Sequence, residues 1–456
     1  MRPFAVLPIA VAVAMAACSS SSVQPSEPAT DGGSPEAGNL SSSGSGGATG
    51  GGADSGASTS SSGSGLGADS SSGSSGSSSG GSGSGSDGGS TGSTDAGGST
   101  DAGESRDAGG SRDAASGDSG SPGADSGTGQ GPCDIYQAAN TPCVAAHSTV
   151  RALYASYTKA LYQVTRASDK TTKDILAGTG GVADTSVQDS FCAGTTCTIS
   201  IIYDQSPQGN DLEKAPPGAT WLPNGGTESS ASKGKISVSG HTVYGIYVTG
   251  YSDNVAYRNN NTKGVATGNQ AEAMYMVVDG ARFSSSCCFD YGNAEKDSKD
   301  DGNGTMEAIY WGTDTAWGGF GEGAGPWVAA DLENGMFKGD KGGYNYGATN
   351  TTPWPTAQSV IAKFATTMLK GPSVDTFTLK AGNAQSGSLT TMWNSSRPSP
   401  NYSPKALQGA IILGTGGDGS NGGTGTFFEG AMTSGNPTDA VDDAVQANII
   451  AAGYGR

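Results

Sequence analysis

Carboxylates are the side chains in this sequence best suited to chemistry. It contains only two histidines, His147 and His241, which stand far apart along the chain. A histidine-rich metal site or a Ser-His-Asp triad is therefore poorly supported, and we expect both histidines to be structural. Aspartate and glutamate remain as the groups that could serve as nucleophile, general acid or general base.

The stretch PWVAADLENG, residues 326–335, supplies two such acids. If it forms a strand, side chains alternate between its faces, and Asp331 and Glu333 share one face with Trp327. Two carboxylates at i and i+2 beside an aromatic ring suggest a cleft, in which each acid raises the pKa of the other. The alternative is a polar face exposed to solvent.

A second acid lies in GTGGDG, residues 414–419, which formally matches G-x-G-x-x-G after an apolar run. The dinucleotide fingerprint also needs a helix to open at this point, and SNGGTGTFF, which follows, has no helical stripe. We therefore exclude nucleotide binding. Asp418 is left on a glycine loop at a strand end, where a ligand could approach the backbone closely; the alternative is an ordinary turn aspartate.

Two carboxylates in one cleft are typical of glycoside hydrolysis. One acid attacks the anomeric carbon while the other protonates the leaving oxygen. This chemistry implies no metal and no organic cofactor. An alternative of another class is a carbohydrate-binding β-sandwich whose acids only form hydrogen bonds with sugar hydroxyls.

The seven cysteines indicate an oxidising compartment. Cys18 stands alone, and six others lie between residues 133 and 288. Six cysteines allow many pairings. Spacing favours the local ones, which are Cys133–Cys143, Cys192–Cys197 and, by elimination, the adjacent Cys287–Cys288.

The N-terminus is predicted to be an export signal. Residues 1–18, MRPFAVLPIAVAVAMAAC, contain one arginine and an apolar run that is too short to span a membrane. The ending MAAC resembles a bacterial lipobox, so we expect lipidation of Cys18 and a cell-surface or outer-membrane location. The alternative is cleavage near Ala17 and free secretion.

Residues 19–131 are expected to be a disordered linker. They are rich in Gly, Ser, Ala and Asp and contain no aromatic residue, so they cannot bury enough apolar surface to offset their ordering entropy. Their 13 acidic and two basic residues account for −11 of the net charge of −18. This balance argues against nucleic acid as a partner and against membrane contact other than through the lipid.

Residues 132–456 predict one all-β domain, a jelly-roll-like (concanavalin-like) sandwich with a few short helices. Short strand-like runs punctuated by Gly, Asn and Asp recur along this part of the chain. They are residues 197–205, 235–250, 273–280, 306–312, 327–335, 374–382, 409–414 and 425–432. Helices are predicted around 150–161, from an apolar stripe, and over 436–453, where Gly453 is the stop signal.

Long motifs resemble one known family. QDSFCAGTTCTISIIYDQSPQGNDL, CCFDYGNAE, GPWVAADLENGMF and GAIILGTGGDGSNGGTGTFFEGAMTSG are similar to the catalytic domain of family 54 glycoside hydrolases, the type B α-L-arabinofuranosidases. The resemblance implies a β-sandwich and a retaining mechanism. It also implies release of terminal α-L-arabinofuranosyl units from arabinan, arabinoxylan and arabino-oligosaccharides, whereas β-D-galactofuranosides or β-D-xylosides are the alternative substrates.

The resemblance also assigns roles to residues. It implies Glu333 as nucleophile and Asp418 as general acid/base. The implied sugar pocket contains the Cys287–Cys288 disulfide as a flat apolar plate, together with Met306, Trp317, Asp331, Asn334 and Gly417.

The sequence departs from the family pattern in places. Thr305 stands where histidine is expected, and Gly419 stands where asparagine is expected. Family members usually carry a C-terminal arabinose-binding β-trefoil. We expect none here, because the sequence ends at Arg456, and we expect the protein to be a monomer.

Overall fold

The fold is built almost entirely from antiparallel strands. The structure, a computed structural model, describes residues 129–218, 221–372 and 374–456. Its strands in chain order are β1 (Cys143–Ser148), β2 (Ala160–Arg166), β3 (Thr172–Leu176), β4 (Cys197–Ile202), β5 (Leu212–Lys214), β6 (Lys235–Val238), β7 (His241–Tyr244), β8 (Ile246–Thr249), β9 (Tyr257–Asn259), β10 (Glu272–Asp279), β11 (Asp290–Ala294), β12 (Glu307–Gly312), β13 (Gly321–Glu322), β14 (Trp327–Asp331), β15 (Met336–Phe337), β16 (Trp354–Gln358), β17 (Phe364–Gly371), β18 (Thr376–Asn383), β19 (Thr390–Ser396), β20 (Ala410–Leu413) and β21 (Thr424–Ser434). The helices are α1 (Pro132–Ala138), α2 (Thr185–Phe191), α3 (Tyr346–Thr349) and α4 (Asp439–Ala451), with 3₁₀ turns at Thr179–Gly181 and Gly250–Ser252.

Two large sheets form a sandwich. The seven-stranded sheet has the order β1-β21-β10-β17-β18-β19, with β8 also paired to β21. The ten-stranded sheet has the order β15-β14-β12-β11-β20-β9-β5-β4-β2-β3. All pairings within these two sheets are antiparallel. The prediction of an all-β sandwich is therefore confirmed.

Strands in the middle of the ten-stranded sheet are buried on both faces. In β12 and β14, Ile309, Trp311 and Ala330 belong to the main core, which the ten-stranded sheet shares with the seven-stranded sheet. Tyr310 and Ala329 alternate with them and pack in a separate cluster with Met336. Because strand side chains alternate between faces, this second cluster lies on the face turned away from the sandwich core. That outer face is where the candidate site is built.

The helix predicted around 150–161 is wrong. This segment is irregular until β2 begins, although Val150, Leu153 and Leu161 are fully buried as a core stripe would be. Its backbone amides bond to distant groups: Ala152 N donates to the Gly181 carbonyl and Leu153 N to the Gln205 side chain. Apolar spacing predicted burial correctly, but tertiary hydrogen bonds replaced the helical ones.

The C-terminal helix prediction is confirmed by α4. The helix stops before Gly453, whose positive φ of 72° favours glycine. Asp442 faces the seven-stranded sheet, where the ammonium groups of Lys370 and Lys380 lie 2.8 and 2.7 Å from its carboxylate. These ion pairs hold the helix against β17 and β18.

The predicted export signal at 1–18 and linker at 19–131 fall almost wholly outside the described residues. Within the described part of the chain, no helix combines the length and the apolar character needed to cross a membrane.

A buried ion pair should contribute strongly to stability. The Arg151 guanidinium binds Glu429 of β21 through two contacts of 2.5 and 2.7 Å, and Tyr275 and Tyr454 also donate to this carboxylate. Arg151→Met leaves the Glu429 carboxylate buried without a counter-charge and should reduce the free energy of unfolding by about 3–5 kcal/mol. Urea unfolding measures the change.

The exposed pair of Lys299 and Asp297 provides the control for that substitution. Lys299→Met should leave the unfolding midpoint nearly unchanged, because exposed ion pairs contribute little. Equal losses in the two variants would contradict the importance assigned to the buried pair.

Candidate active site

A tight hairpin between β14 and β15 carries two of the predicted acids. The strand predicted over 327–335 ends at Asp331, and Glu333 and Asn334 occupy the turn with φ of 62° and 55°. Leu332 N donates to the Gly335 carbonyl across the turn. Two consecutive positive φ values are typical of a type I′ hairpin, and in residues other than glycine they are uncommon and concentrate at functional sites.

The sequence predicted that Asp331 and Glu333 share one face of a strand. This prediction is wrong, because the strand ends at Asp331. Asp331 points to the outer face as the last residue of β14, whereas Glu333 is placed by the turn. The two remain close, since Glu333 N donates to the Asp331 carboxylate over 3.2 Å.

A loop between β20 and β21 carries Asp418. Gly416 N donates to the Ser420 carbonyl over 2.8 Å, and the Asp418 carboxylate accepts a bond of 2.8 Å from Ser420 N. The loop packs directly on the Cys287 region, because Gly422 N donates to the Cys287 carbonyl over 2.7 Å. A Cβ at Gly423 would lie 2.4 Å from the Cys288 carbonyl carbon, so glycine is needed for this close approach.

The six cysteines between 133 and 288 form three disulfides. The pairs are Cys133–Cys143, Cys192–Cys197 and Cys287–Cys288. Cys287 is partly exposed and packs with Trp317 against the outer cluster of Tyr310 and Met336. Cys288 is buried beneath it, with its sulfur 3.5 Å from the Asp331 carboxylate.

One cavity of about 410 Å³ brings most of the predicted residues together. Its lining includes Cys287, Trp317, Asp331, Glu333, Asn334, Gly417 and Asp418. Cys288 and Met306 are not in the lining: Cys288 lies behind Cys287, and Met306 packs in a small cluster with Ala308 and Ile412. A second cavity, of about 420 Å³, lies beside β2, β3 and α2 and contains none of these residues.

The mouth of the 410 Å³ cavity is aromatic. Trp221, Tyr251 and Tyr344 line it while remaining 44%, 63% and 66% exposed, and the Tyr344 ring lies 4.7 Å from that of Trp317. Exposed aromatic rings at a concave site offer flat apolar surfaces to a ligand.

Two acids that the sequence analysis did not select lie directly behind the cavity. Asp290, at the start of β11, and Glu295, just after its end, are fully buried. Glu295 is in side-chain contact with Glu333, and Asp290 is in side-chain contact with Asp331. They belong to the motif CCFDYGNAE, and their position at both ends of an otherwise uncharged strand was a signal that could have revealed them.

The clustered acids raise each other's pKa. Burial, followed by the charges of Glu295, Asp331 and Asp418, raises the pKa of Glu333, and because Glu333 and Glu295 are in contact the two carboxyl groups share one proton. Burial also raises the pKa of Asp331 to about 7, and the pKa of Glu295 and Asp290 above the usual range. At neutral pH the cluster therefore retains protons that the unfolded chain would release.

Both departures from the family pattern lie close to the acids. The Thr305 hydroxyl donates a 2.5 Å hydrogen bond to Glu295 and so lies one contact away from Glu333. Gly419 has a φ of 89°, and a Cβ there would lie 3.0 Å from the Trp221 carbonyl.

This geometry supports acid–base and nucleophilic chemistry. Glu333 and the half-buried Asp418 face the same cavity, so a ligand could meet both. The sulfur atoms of Cys287 and Cys288 and a carboxylate oxygen of Asp331 lie within 4.8 Å of one another. The sulfurs are joined in a disulfide and are therefore not thiolate metal ligands. His147 is also structural, since its ring nitrogens bind the Tyr291 hydroxyl and the Asn210 carbonyl.

Comparison with known proteins identifies close relatives. A family model described as "Alpha-L-arabinofuranosidase B, catalytic" matches residues 132–455. Alpha-L-arabinofuranosidase B of Aspergillus oryzae is 52% identical over 329 residues, which are 71% of this chain and 62% of the relative. A Trichoderma koningii protein named "Arabinofuranosidase/B-xylosidase" is 51% identical over 328 residues, 71% of this chain and 63% of the relative. The chain thus spans less than two thirds of the length of these relatives.

Solved structures show the same similarity. An arabinofuranosidase complexed with arabinofuranosyl-α-1,2-xylobiose superposes with a TM-score of 0.66 at 48% identity, covering 71% of this chain and 66% of that chain. A glutamate-to-glutamine variant of a GH54 α-L-arabinofuranosidase, soaked with 4-nitrophenyl α-L-arabinofuranoside, gives the same score, identity and coverage.

The proton that Glu333 and Glu295 share predicts that this pair weakens the fold at neutral and alkaline pH. The folded state binds more protons than the unfolded state between the ordinary glutamate pKa and about 11, so stability falls as pH rises through this window. Glu333→Gln removes one carboxyl of the pair, so that the other no longer has to be ionised beside it. The variant should gain on the order of 2 kcal/mol over the natural protein at pH 8 and much less at pH 4.

Urea unfolding at both pH values measures this difference. Glu213→Gln, at an exposed position of β5, is the control and should change stability little at either pH. A Glu333→Gln variant that is less stable than the natural protein at pH 8 would contradict the electrostatic description.

Proposed function

The chain belongs to the family of α-L-arabinofuranosidase B catalytic domains, and we propose on this premise that it is a retaining exo-α-L-arabinofuranosidase. One observation supports the activity above all: Glu333 and Asp418, from separate elements, line the same cavity together with the Cys287–Cys288 region and Trp317. Paired carboxyl groups facing one pocket are the machinery of glycoside hydrolysis.

Glu333 is the proposed nucleophile and Asp418 the proposed general acid/base. Glu333 lies at the tip of a tight hairpin, and only 6% of its surface is exposed. Such a fixed position suits a group that must attack the substrate from one direction. Asp418 is more open, and its carboxylate is fixed by Ser420 N. In a double displacement, Asp418 protonates the leaving oxygen while Glu333 forms an ester with the anomeric carbon; Asp418 then activates the water that hydrolyses it.

The other cavity residues are proposed to hold the sugar. Asp331 and Asn334 flank the nucleophile and can form hydrogen bonds with ring hydroxyls, as can the backbone of Gly417. The Cys287 side of the disulfide and Trp317 offer apolar surface to the flat face of a furanose ring. Cys288, which is buried beneath Cys287, is proposed to support this apolar surface through the disulfide. Met306 is proposed to act only by supporting the floor, because it does not line the cavity.

Terminal α-L-arabinofuranosyl units of arabinan, arabinoxylan and their oligosaccharides are the proposed substrates. One relative was crystallised with arabinofuranosyl-α-1,2-xylobiose, which supports a branched xylan fragment as a substrate of this protein. The exposed rings of Trp221, Tyr251 and Tyr344 at the cavity mouth suit the remainder of such a chain. A second activity on β-xylosides is favoured only by the name of the Trichoderma koningii relative.

We propose further that the protein is exported and that residues 132–456 form its catalytic domain. Three disulfides in the domain support an oxidising compartment. The signal at 1–18, the linker at 19–131 and lipidation of Cys18 stay predictions from sequence. The relatives named above are fungal and add no support for a bacterial lipoprotein.

Replacement of the nucleophile tests the function. Glu333→Ala should lower kcat on 4-nitrophenyl α-L-arabinofuranoside by at least several orders of magnitude, because no covalent intermediate can form. Release of 4-nitrophenol measures the rate, with Glu213→Ala as the control. Unchanged turnover in Glu333→Ala, or no hydrolysis by the natural oxidised protein, would refute the assignment.

Replacement of the general acid should separate substrates by leaving group. Asp418→Asn should slow natural arabino-oligosaccharides far more than aryl glycosides, since a good leaving group needs no protonation. Comparison of kcat/KM on the two substrate types, with Asp443→Asn at an exposed position of α4 as control, measures the difference. Equal losses on both substrates would assign the acid role to another residue.

A further inference from the structure

Glu295 is a buried residue whose carboxyl group is in contact with that of the proposed nucleophile, Glu333. It is fully buried, and its Oε1 accepts a 2.5 Å hydrogen bond from the Thr305 hydroxyl. Its Oε2 has no donor among the described residues. A Cβ on Gly417 would lie 1.9 Å from that oxygen and 2.9 Å from Glu333 Oε2, so the two carboxyl oxygens converge on one point of the glycine backbone.

Among the described residues, no cation forms an ion pair with either carboxyl of this pair. None of the ion pairs in the described part of the chain includes Glu295 or Glu333. Arg258 of β9 is the nearby cation, but its guanidinium donates to the Glu295 and Gly417 backbone carbonyls and to Asn260. The titratable groups that face the pair from the surrounding elements are Arg258, Asp297, Asp331, Tyr402 and Asp418.

Two buried carboxylates in contact cannot both be ionised without a large cost. One proton is therefore retained between Glu295 and Glu333 at neutral pH, as in the paired acids of aspartic proteases. A nucleophile must attack as a carboxylate, so a proton on Glu333 would block the reaction. Only residence of that proton on Glu295 leaves Glu333 competent.

We propose that Glu295 is a positioning residue that holds this proton and donates it as a hydrogen bond to the Glu333 carboxylate. The inference rests on the proposed function. The Thr305 hydroxyl lies 2.5 Å from both Glu295 Oε1 and the Gly302 carbonyl, and this contact holds Oε1 away from Glu333 so that Oε2 is the oxygen that faces it. Charge-assisted hydrogen bonds of this kind are short and orient their acceptor strongly.

The proton balance closes over one catalytic cycle. When Glu333 forms its ester, the bond from the anomeric carbon to the aglycone oxygen breaks, this oxygen takes the proton of Asp418, Asp418 is left as a carboxylate, and Glu295 keeps its own proton. When water hydrolyses the ester, Asp418 regains a proton and Glu333 returns as a carboxylate that again accepts from Glu295. Glu295 thus gains and loses nothing, and it touches no substrate atom.

Two substitutions at Glu295 separate a hydrogen-bond donor from a packing role. Glu295→Gln keeps a donor of the same shape without a titrating proton, and should retain kcat/KM on 4-nitrophenyl α-L-arabinofuranoside within about tenfold of the natural protein. Glu295→Ala removes the donor and should lose roughly 100-fold or more. Its acidic limb in the pH–rate profile should also move to higher pH, because a buried Glu333 without a donor is harder to ionise.

A readout that does not depend on turnover completes the test. Infrared difference spectra at pH 7, taken for the folded natural protein and Glu295→Gln, should show one protonated-carboxyl band that the variant lacks. The proposal is overturned if no band is lost. It is also overturned if both variants lose activity equally with unshifted pH profiles, or if Glu295→Ala is fully active.

Different results would refute the role of Glu295 and the proposed function. Absence of hydrolysis by the natural protein refutes the function itself, whereas normal hydrolysis with the contrary variant behaviour refutes only the role of Glu295. Thermal unfolding of both variants identifies any that does not fold. In that case the remaining Glu295 variant decides the question through its kcat/KM and its pH–rate profile.

Discussion

The site depends on one electrostatic constraint, which is the burial of carboxyl groups without cationic partners. Several buried acids elsewhere in the domain are ion-paired: Glu429 with Arg151, Glu307 with Arg397 and Lys405, and Asp442 with two lysines. Asp290, Glu295, Asp331 and Glu333 are equally buried and take part in none of the ion pairs of the described chain. Such a cluster reduces stability at neutral pH, and a cost of this kind is typical of functional sites.

The sandwich makes this arrangement possible because its central strands have two buried faces. The inner face of β12 and β14 fills the core between the sheets, so the outer face is free to carry Asp331 and to support the disulfide and Trp317. Loops then close over this face. The glycine loop at 414–423 lies directly on the Cys287 backbone, so the acid that it carries is positioned by the same contacts that cover the disulfide.

Local sequence patterns predicted the architecture well where the backbone follows its own periodicity. Alternating runs predicted β10, β12, β18, β20 and β21, and the signals around Gly453 predicted the end of α4. They failed where tertiary contacts decide. The stripe at 150–161 is buried as a loop whose amides bond to distant groups, and the run over 327–335 ends early in a hairpin with positive φ values.

The candidate site was predicted mainly through motif resemblance rather than from spacing. Strand alternation suggested that Asp331 and Glu333 lie together but gave the wrong cause, and no local rule joins them to Asp418, which is distant in sequence. Glu295 and Asp290 were missed because their chemistry depends on partners across the sheet. Met306 was included by resemblance, although it packs behind the cavity.

The central claim is that Glu333 attacks the sugar from the cavity that Asp418 also lines. Its most direct test is peptide mass mapping after incubation with a cyclic sulfate analogue of α-L-arabinofuranose, which a nucleophile would open to a stable ester. A solved relative has been soaked with a cyclic sulfate inhibitor. We predict a single adduct on Glu333; an adduct on Asp331, Glu295 or Asp418, or no adduct on active protein, would contradict the account.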